Sequence, residues 1–158
     1  MMKLYSFLAV FCCLFVASCG HDLERDSDDY ATAKERIEAL KKEITVYSEF
    51  SDCEFELYNV NGFSDSRVFM VGSSSSNYKF VVKVKSEDIS KWKTGSISSD
   101  SIGYDKYWME KIIKERPQNW KTTTKPTIYA KPIVYTNHEF KTLIYEEEGI
   151  IYRIIRRD

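Results

Sequence analysis

The chain has 158 residues, of which 23 are basic and 24 acidic, and its formal net charge is −1. This length fits one domain that can bury an ordinary hydrophobic core. The near-neutral charge gives no argument for binding of nucleic acid or of an acidic partner.

The N-terminus carries the features of a secretory signal. Lys3 supplies a positive charge, and residues 4–16 then form an almost wholly apolar run. A membrane-spanning helix needs about 20 apolar residues, whereas the apolar part of a signal peptide has about 7–15. The run is too short to span and fits the signal, so we predict that residues 1–18 are a signal peptide.

The end of this segment has a recognisable pattern, an aliphatic residue, two small residues and then Cys19. The sequence Val16-Ala17-Ser18-Cys19 resembles the lipobox of bacterial lipoproteins. The resemblance covers residues 1–20, and no family is recognised for the remainder. It implies that Cys19 receives a diacylglyceryl group and becomes the first mature residue, whose amine is often acylated in that family, with palmitate as the label to test. Ordinary signal cleavage at the same small residues is the alternative.

Lipidation of Cys19 would place the protein in the cell envelope. Acyl burial contributes about 0.8 kcal/mol per CH₂, so two or more chains hold a protein on a bilayer stably. Gly20 follows the cysteine, and in enterobacterial lipoproteins an Asp at that position tends to retain the protein at the inner membrane. The resemblance therefore favours the outer membrane, facing the periplasm, over the inner membrane.

Three parts are predicted along the chain: a signal peptide at 1–18, the acylated cysteine with a flexible tether at 19–29, and a single α+β domain at 30–158. The tether is expected because residues 20–29 are polar, mostly acidic and without apolar periodicity. We expect the domain to contain an N-terminal helix, a mainly antiparallel sheet of about six strands and two further short helices. The helices should cover one sheet face and leave the Lys and Glu side in water.

The N-terminal half predicts a helix and three strands. Apolar residues recur at spacings of three and four from Tyr30 to Tyr47, which indicates a helix with an N-cap among residues 27–29. From Cys53 the period changes to two. Asn61-Gly62 predicts a two-residue hairpin with a type I′ turn. The predicted strands are residues 53–58, 67–71 and 78–84, with Lys79, Val81 and Lys83 on the wet face of the last.

The C-terminal half predicts two short helices and three more strands. The helices are residues 86–92 and 104–115, with a loop at 94–103 between them and Pro117 as the terminator of the second. The predicted strands are residues 127–135, 139–145 and 150–155. A hairpin over residues 146–149 joins the last two.

Several chemistries lack their motif. The chain has no Gly-x-Ser-x-Gly, dinucleotide-binding or Walker pattern, and His138 with Cys53 falls short of a metal-ligand set. No cofactor and no metal are therefore expected. Cys53 is interpreted as a buried strand residue, with an intermolecular disulfide or a reactive thiol as the alternative. An enzyme would need a pocket that pairs two dispersed carboxylates, taken from Asp105, Glu110, Glu139 and Glu146.

Aromatic residues make up 15% of the chain, and several cluster in its middle. Trp92 and Trp108 are predicted to fasten helices to the sheet. Trp120 follows Pro117 in a predicted loop, so it is the best candidate for an exposed recognition residue, with Lys121 and Tyr107 as further binding candidates. At the C-terminus, Arg153, Arg156 and Arg157 could contact anionic headgroups or form a solvated tail.

The leading hypothesis is a membrane-anchored envelope lipoprotein with a non-catalytic protein-binding domain. Such a domain could act as an inhibitor, an immunity or exclusion factor, or an assembly accessory, with another envelope protein as its partner. The alternative is a binder of a small ligand or of an envelope polymer, with an aromatic-lined cup formed by the curved sheet.

Overall fold

The computed structural model describes residues 23–63, 75–98, 106–120 and 132–157. Seven strands form one antiparallel sheet in the order β1-β2-β3-β7-β6-β5-β4, accompanied by three α-helices. The strands are β1 (Glu24–Asp26), β2 (Phe50–Asn59), β3 (Ser76–Val84), β4 (Ser96–Ser98), β5 (Ile133–Thr136), β6 (Phe140–Tyr145) and β7 (Ile150–Arg157). The helices are α1 (Ala33–Glu43), α2 (Lys106–Glu115) and α3 (Pro117–Trp120), with 3-10 turns at Ser27–Asp29 and Ser86–Trp92. The predicted α+β class is confirmed, with seven strands instead of about six.

The segment predicted as a tether is partly folded. Residues 24–26 form β1, which pairs antiparallel with β2, and Ser27 in the following 3-10 turn is buried. Asp26 caps this turn through its side chain. The prediction of a flexible tether is therefore wrong for residues 24–29. Edge pairing through the backbone holds this polar segment, so it needs no apolar periodicity.

Helix α1 is shorter than the predicted helix over residues 30–47. Thr32 is its N-cap, and a reciprocal capping box joins the Thr32 and Glu35 side chains and backbones. The cap predicted among residues 27–29 is therefore wrong, because a Ser/Thr-x-x-Glu pair satisfies two free N–H groups at once. Leu40 is fully buried on the sheet, and Ile37, also from the predicted stripe, packs beside it.

Both faces of the sheet carry a hydrophobic core. The α1 face packs α1 and the second 3-10 turn against the sheet. Its buried sheet residues include Cys53, Phe55, Phe80, Val82 and Ile151. The α2 face packs Ile112 and Trp120 against Val81, Leu143, Tyr145, Ile150 and Tyr152. The expectation of one wet face is therefore wrong.

Strand β3 shows why the wet face was mispredicted. Val81 and Lys83 alternate with the apolar residues of the α1 face, so they look solvent-facing in the sequence. Both are buried on the other side, and the Lys83 ammonium donates to the carbonyl of Glu148 in the β6–β7 turn. Long aliphatic side-chain stems pack like apolar residues when the charged head finds a partner.

Two predicted hairpin turns have different outcomes. The turn over residues 146–149 joins β6 to β7 as predicted. Its Gly149 has φ +63°, and an added Cβ would lie 2.5 Å from the carbonyl oxygen of Val84. At Asn61-Gly62 only the glycine has positive φ, so the type I′ prediction is wrong. Strand β2 pairs with β3 there, since the N–H of Val60 donates to the carbonyl of Ser75.

Three further sequence predictions, a loop at 94–103, a helix end at Pro117 and a strand at 67–71, can be compared with the structure. Strand β4 lies in the segment predicted as a loop, where it pairs with β5 at the sheet edge. Pro117 ends α2 but also begins α3, as its fixed φ allows at a first helical position. The predicted strand at 67–71 lies outside the described residues. No helix in the described part of the chain is long and apolar enough to cross a bilayer.

Candidate functional site

The Asp52 carboxylate is completely buried in β2. A register irregularity lies between Phe50 and Asp52 in the pairing with β3. On the other side of β2, β1 pairs only with residues 56–58. Strand β1 therefore does not cover the edge of β2 at Asp52, and side chains from the helical segments contact Asp52 there instead.

Within the described ranges, five groups donate hydrogen bonds to this carboxylate. They are Arg36 Nη2 (3.1 Å), Arg116 Nη1 (3.1 and 3.2 Å), Asn119 Nδ2 (2.9 Å), Trp120 Nε1 (2.9 Å) and the backbone N of Cys53 (2.9 Å). Arg36 comes from α1, whereas the other side-chain donors come from the α2–α3 segment. The carboxylate therefore joins helices that pack on opposite faces of the sheet.

The electrostatics keep Asp52 ionised. Burial alone would raise the pKa of Asp52, but the hydrogen bonds from Asn119 and Arg36 and the positive charge of Arg116 together hold it below its usual range. Arg116 also forms an ion pair with Glu54. A carboxylate that is charged and saturated with donors has no free lone pair for a proton or a metal, so its role is to hold the helices.

Cys53 lies next to this carboxylate and is also completely buried. Burial, and then the negative charge of Asp52, raise the pKa of the Cys53 thiol. A thiol with a raised pKa is a poor nucleophile because the thiolate is the reactive form. The interpretation of Cys53 as a buried strand residue is confirmed.

Arg153 forms a second buried charged site, on the α1 face. Its side chain donates to Thr142 Oγ1 at 2.7 Å, to Thr94 Oγ1 at 2.9 Å and to the Trp92 carbonyl at 3.3 Å. Its guanidinium also lies 4.5 Å from the centre of the Phe140 ring. Both interpretations of Arg153, a headgroup contact and a solvated tail, are therefore wrong, since only 2% of the residue is exposed. A buried cation of this kind gains from aromatic faces and fixed acceptors.

The predicted recognition residues are not brought together. Trp120 is 1% exposed and donates its indole N–H to Asp52, so the prediction of an exposed recognition residue is wrong. Tyr107 lies in α2, but its side chain is outside the described residues, as are Lys121 and Cys19. The role predicted for Trp92 and Trp108 is confirmed: Trp92 of the second 3-10 turn is buried in the core of the α1 face with sheet residues, and Trp108 of α2 contacts Tyr152 of β7 edge to face.

Sequence reasoning missed Asp52, Arg36 and Arg116. One local signal was present, because Arg116, Asn119 and Trp120 are spaced by three and four residues and so share one side of a helical turn. The acceptor of the cluster, Asp52, directly precedes the predicted strand that begins at Cys53. Neither part of the cluster indicates the other without the fold, since 64 positions separate Asp52 from Arg116.

Of the four carboxylates proposed for an enzyme, Glu139 and Glu146 are the two whose side chains lie in the described residues, and these two do not meet. Glu139 precedes β6 and Glu146 follows it, so they lie at opposite ends of a six-residue strand, about 24 Å apart at the rise of a strand. Asp105 and the side chain of Glu110 lie outside the described residues. His138 is highly exposed beside Glu139, and no group of three metal-ligating residues occurs within the described ranges.

One end of the sheet exposes an unusual set of side chains. Leu23, Tyr58 and Val60 are 42%, 38% and 41% exposed. They are adjacent, because Glu24 pairs with Tyr58 and the N–H of Asn59 donates to the carbonyl of Leu23 at 2.9 Å. Arg156 and Arg157 end β7 at the same level, opposite Asn77 and Ser76 of β3. We call Leu23, Tyr58, Val60, Arg156 and Arg157 the sheet-end surface.

An open cleft of about 360 Å³ adjoins the sheet-end surface. Its charged lining residues are Glu24, Asp26, Glu56, Arg25, Lys79 and Arg156, and Tyr58 is its aromatic residue. Lys79 pairs with Glu56 at 2.6 Å, and Arg25 pairs with Glu43 at 2.8 Å. A cleft with three acids, three bases and a wide mouth differs from the enclosed apolar pockets that bind small ligands.

Comparison with protein-family models, with curated proteins and with solved structures finds no match for this chain.

Proposed function

We propose that the protein is a cell-envelope lipoprotein whose folded domain binds another envelope protein without catalysing a reaction. The observation that carries the proposal is the lipobox-like sequence ending at Cys19, only five positions before β1. Two or more acyl chains on that residue would hold the domain at a membrane surface. The outer membrane, with the domain in the periplasm, is the proposed location because Gly20 follows the cysteine.

The chemistry of the described residues supports binding over catalysis. The buried charged groups at Asp52 and Arg153 are occupied by internal partners, and the Cys53 thiol is shielded and neutral. Catalytic groups, in contrast, need a reactive atom that faces a substrate. These three side chains instead fix the packing of helices and loops on the sheet, which gives a rigid platform for recognition.

The alternative, a ligand cup lined by aromatic residues, gains no support from the described part of the chain. Phe55, Phe80 and Tyr152 fill the two cores instead of lining a cavity. The cleft near Tyr58 and a larger cleft of about 890 Å³ near Tyr30 are both open, and charged residues make up most of their lining.

Membrane attachment and partner binding can be tested in the same cells. Palmitate labelling and membrane fractionation should retain the wild-type protein in the outer-membrane fraction and lose both label and membrane attachment in the Cys19→Ala variant. Equal labelling and equal fractionation of the two proteins would contradict the anchor.

Site-specific photo-crosslinking then tests the partner. A photoreactive residue would replace Ser90, Lys114 or Glu147, which are exposed on different elements. We expect a discrete adduct with an envelope protein from at least one position, weakened in the Cys19→Ala background. If none of the three positions gave a discrete adduct, the binding role would be contradicted.

A further inference from the structure

We infer that the sheet-end surface is the part of the domain that lies against the membrane, with its arginines on anionic phospholipid headgroups. The inference rests on the proposed lipid anchor at Cys19. It adds an orientation, since an anchor alone leaves open which side of a domain meets the bilayer.

The chain length supports this orientation. Five residue steps separate Cys19 from Glu24, the first residue of β1, and an extended chain covers at most about 17 Å in five steps. Glu24 lies at the sheet end formed by the end of β2, the start of β3 and the end of β7. The β6–β7 turn lies at the other end, about 24 Å away at the rise of a strand. An anchored domain therefore has the sheet-end surface within closest reach of the bilayer.

The exposed apolar side chains fit an interfacial position. Leu23, Tyr58 and Val60 are three of the four large hydrophobic residues exposed among those described. The fourth, Ile97, lies in β4 at the opposite edge of the sheet. Tyrosine combines an apolar ring with a polar hydroxyl, which suits the boundary between headgroups and acyl chains. The clustering at the anchored end is what a membrane contact requires.

The charges complement an anionic bilayer. Arg156 and Arg157 are exposed, and neither forms an ion pair with another described residue. The nearby acid Glu56 is paired with Lys79, and the exposed acids at this end include Glu24 beside Tyr58 and Glu139 opposite Arg156. Lys and Arg side chains close to an anionic leaflet are attracted to it within roughly a Debye length of about 10 Å.

Fluorescence quenching in vesicles tests the orientation. Full-length lipidated protein would be reconstituted into phosphatidylcholine–phosphatidylglycerol vesicles whose acyl chains carry bromine, which quenches tryptophan nearby. The reporter is Tyr58→Trp, with Ile97→Trp and Glu147→Trp as controls at exposed sites far from the sheet end. The native tryptophans Trp92, Trp108 and Trp120 are present in all variants, and the quenching measured for the unsubstituted protein is subtracted as their common background. Urea unfolding of each variant confirms that it is folded before reconstitution.

We expect roughly twofold greater quenching of the added fluorescence in Tyr58→Trp than in either control, because an interfacial side chain lies within about 5–10 Å of the acyl boundary. Replacing Arg156 and Arg157 by Gln in the Tyr58→Trp protein should lower its quenching to the value in pure phosphatidylcholine. Equal quenching at positions 58, 97 and 147 would overturn the orientation. No effect of the two Gln substitutions would overturn the headgroup contact.

The two proposals fail in distinguishable ways. If Cys19→Ala protein is labelled and fractionates as wild type, the anchor is wrong. If the wild-type protein is acylated and membrane-bound but the Tyr58→Trp variant is quenched no more than its controls, the anchor stands and the orientation is wrong.

Discussion

The indole Nε1 of Trp120 donates a hydrogen bond to Oδ2 of Asp52 at 2.9 Å, and both side chains are buried. This bond connects the short helix α3 to the first part of β2. It also removes Trp120 from any recognition surface. An acceptor shared by Trp120, Asn119 and two arginines is the most highly connected polar group among the described residues.

Loss of the Asp52 charge should unfold the domain more readily than loss of a surface charge. Asp52→Asn leaves Arg36 without its counter-ion and Arg116 with Glu54 as its remaining acidic partner, which should lower the free energy of unfolding by about 3 kcal/mol. The control is Glu38→Gln, whose exposed pair with Lys34 should contribute at most about 0.5 kcal/mol. Urea unfolding followed by circular dichroism measures both. A loss below about 1 kcal/mol in Asp52→Asn would show that the cluster is dispensable.

The same carboxylate predicts an acid-sensitive contribution to stability. Its pKa is lowered in the folded state from an ordinary value of 3.8, so the unfolded chain binds its proton first as the pH falls. The contribution is therefore complete above pH 3.8 and is lost as the pH falls through the lower, folded pKa. Urea midpoints measured across this window should fall more steeply in wild type than in Asp52→Asn. Parallel curves would mean that Asp52 does not titrate as the geometry requires.

Two buried tryptophans allow a matched test of the Trp120 bond. Trp120→Phe and Trp92→Phe make the same change, from an indole to a phenyl ring, and each removes one indole N–H donor. The Trp120 indole donates to a carboxylate, whereas the Trp92 indole donates to the Ser48 hydroxyl at 2.8 Å. Bonds to charged groups contribute about 1.5–3 kcal/mol and neutral ones about 0.5–1.5. Trp120→Phe should therefore lose about 1 kcal/mol more on urea unfolding. If the free energy of unfolding fell as much or more in Trp92→Phe, the charged acceptor would not strengthen the Trp120 bond.

The fold was largely predictable because its signals are local. Alternation from Cys53 to Tyr58 and the β6–β7 hairpin at residues 146–149 are readable within a few positions, and the structure contains both. The α+β class follows from such local signals. Strands β1 and β4 were missed because each has only three residues and lies at a sheet edge, where backbone pairing decides and composition gives little signal.

The buried sites at Asp52 and Arg153 were not predictable because their contacts are not local in the sequence. Asp52, Arg153 and Trp120 acquire their roles only when elements far apart in sequence meet. Arg153 looked like one of three C-terminal surface arginines, but its alternation within β7 turns it toward Tyr47 and Trp92. Arg156 falls on the other face, near the cleft. Charge in the sequence indicated a surface, whereas position on the strand decided burial.

The thiol of Cys53 gives a test that links the fold to the lipid anchor. Mature protein lipidated at Cys19 would keep one free thiol, because Cys12 and Cys13 leave with the signal peptide. Burial and the raised pKa of Cys53 should prevent reaction with a disulfide reagent in the native state. Titration should give no reactive thiol in buffer and one per chain in urea. Rapid reaction of the native protein would contradict the burial, and two thiols in urea would contradict lipidation.

Intact mass spectrometry of the protein extracted from membranes tests the lipid anchor most directly. We expect a chain that begins at Cys19 and carries the added mass of a diacylglyceryl group and of an amide-linked acyl chain. Cys19→Ala protein from the same cells should lack these additions. A wild-type chain that begins at Cys19 without added lipid, or one that retains residues 1–18, would contradict the anchor and remove the basis for the proposed location and orientation.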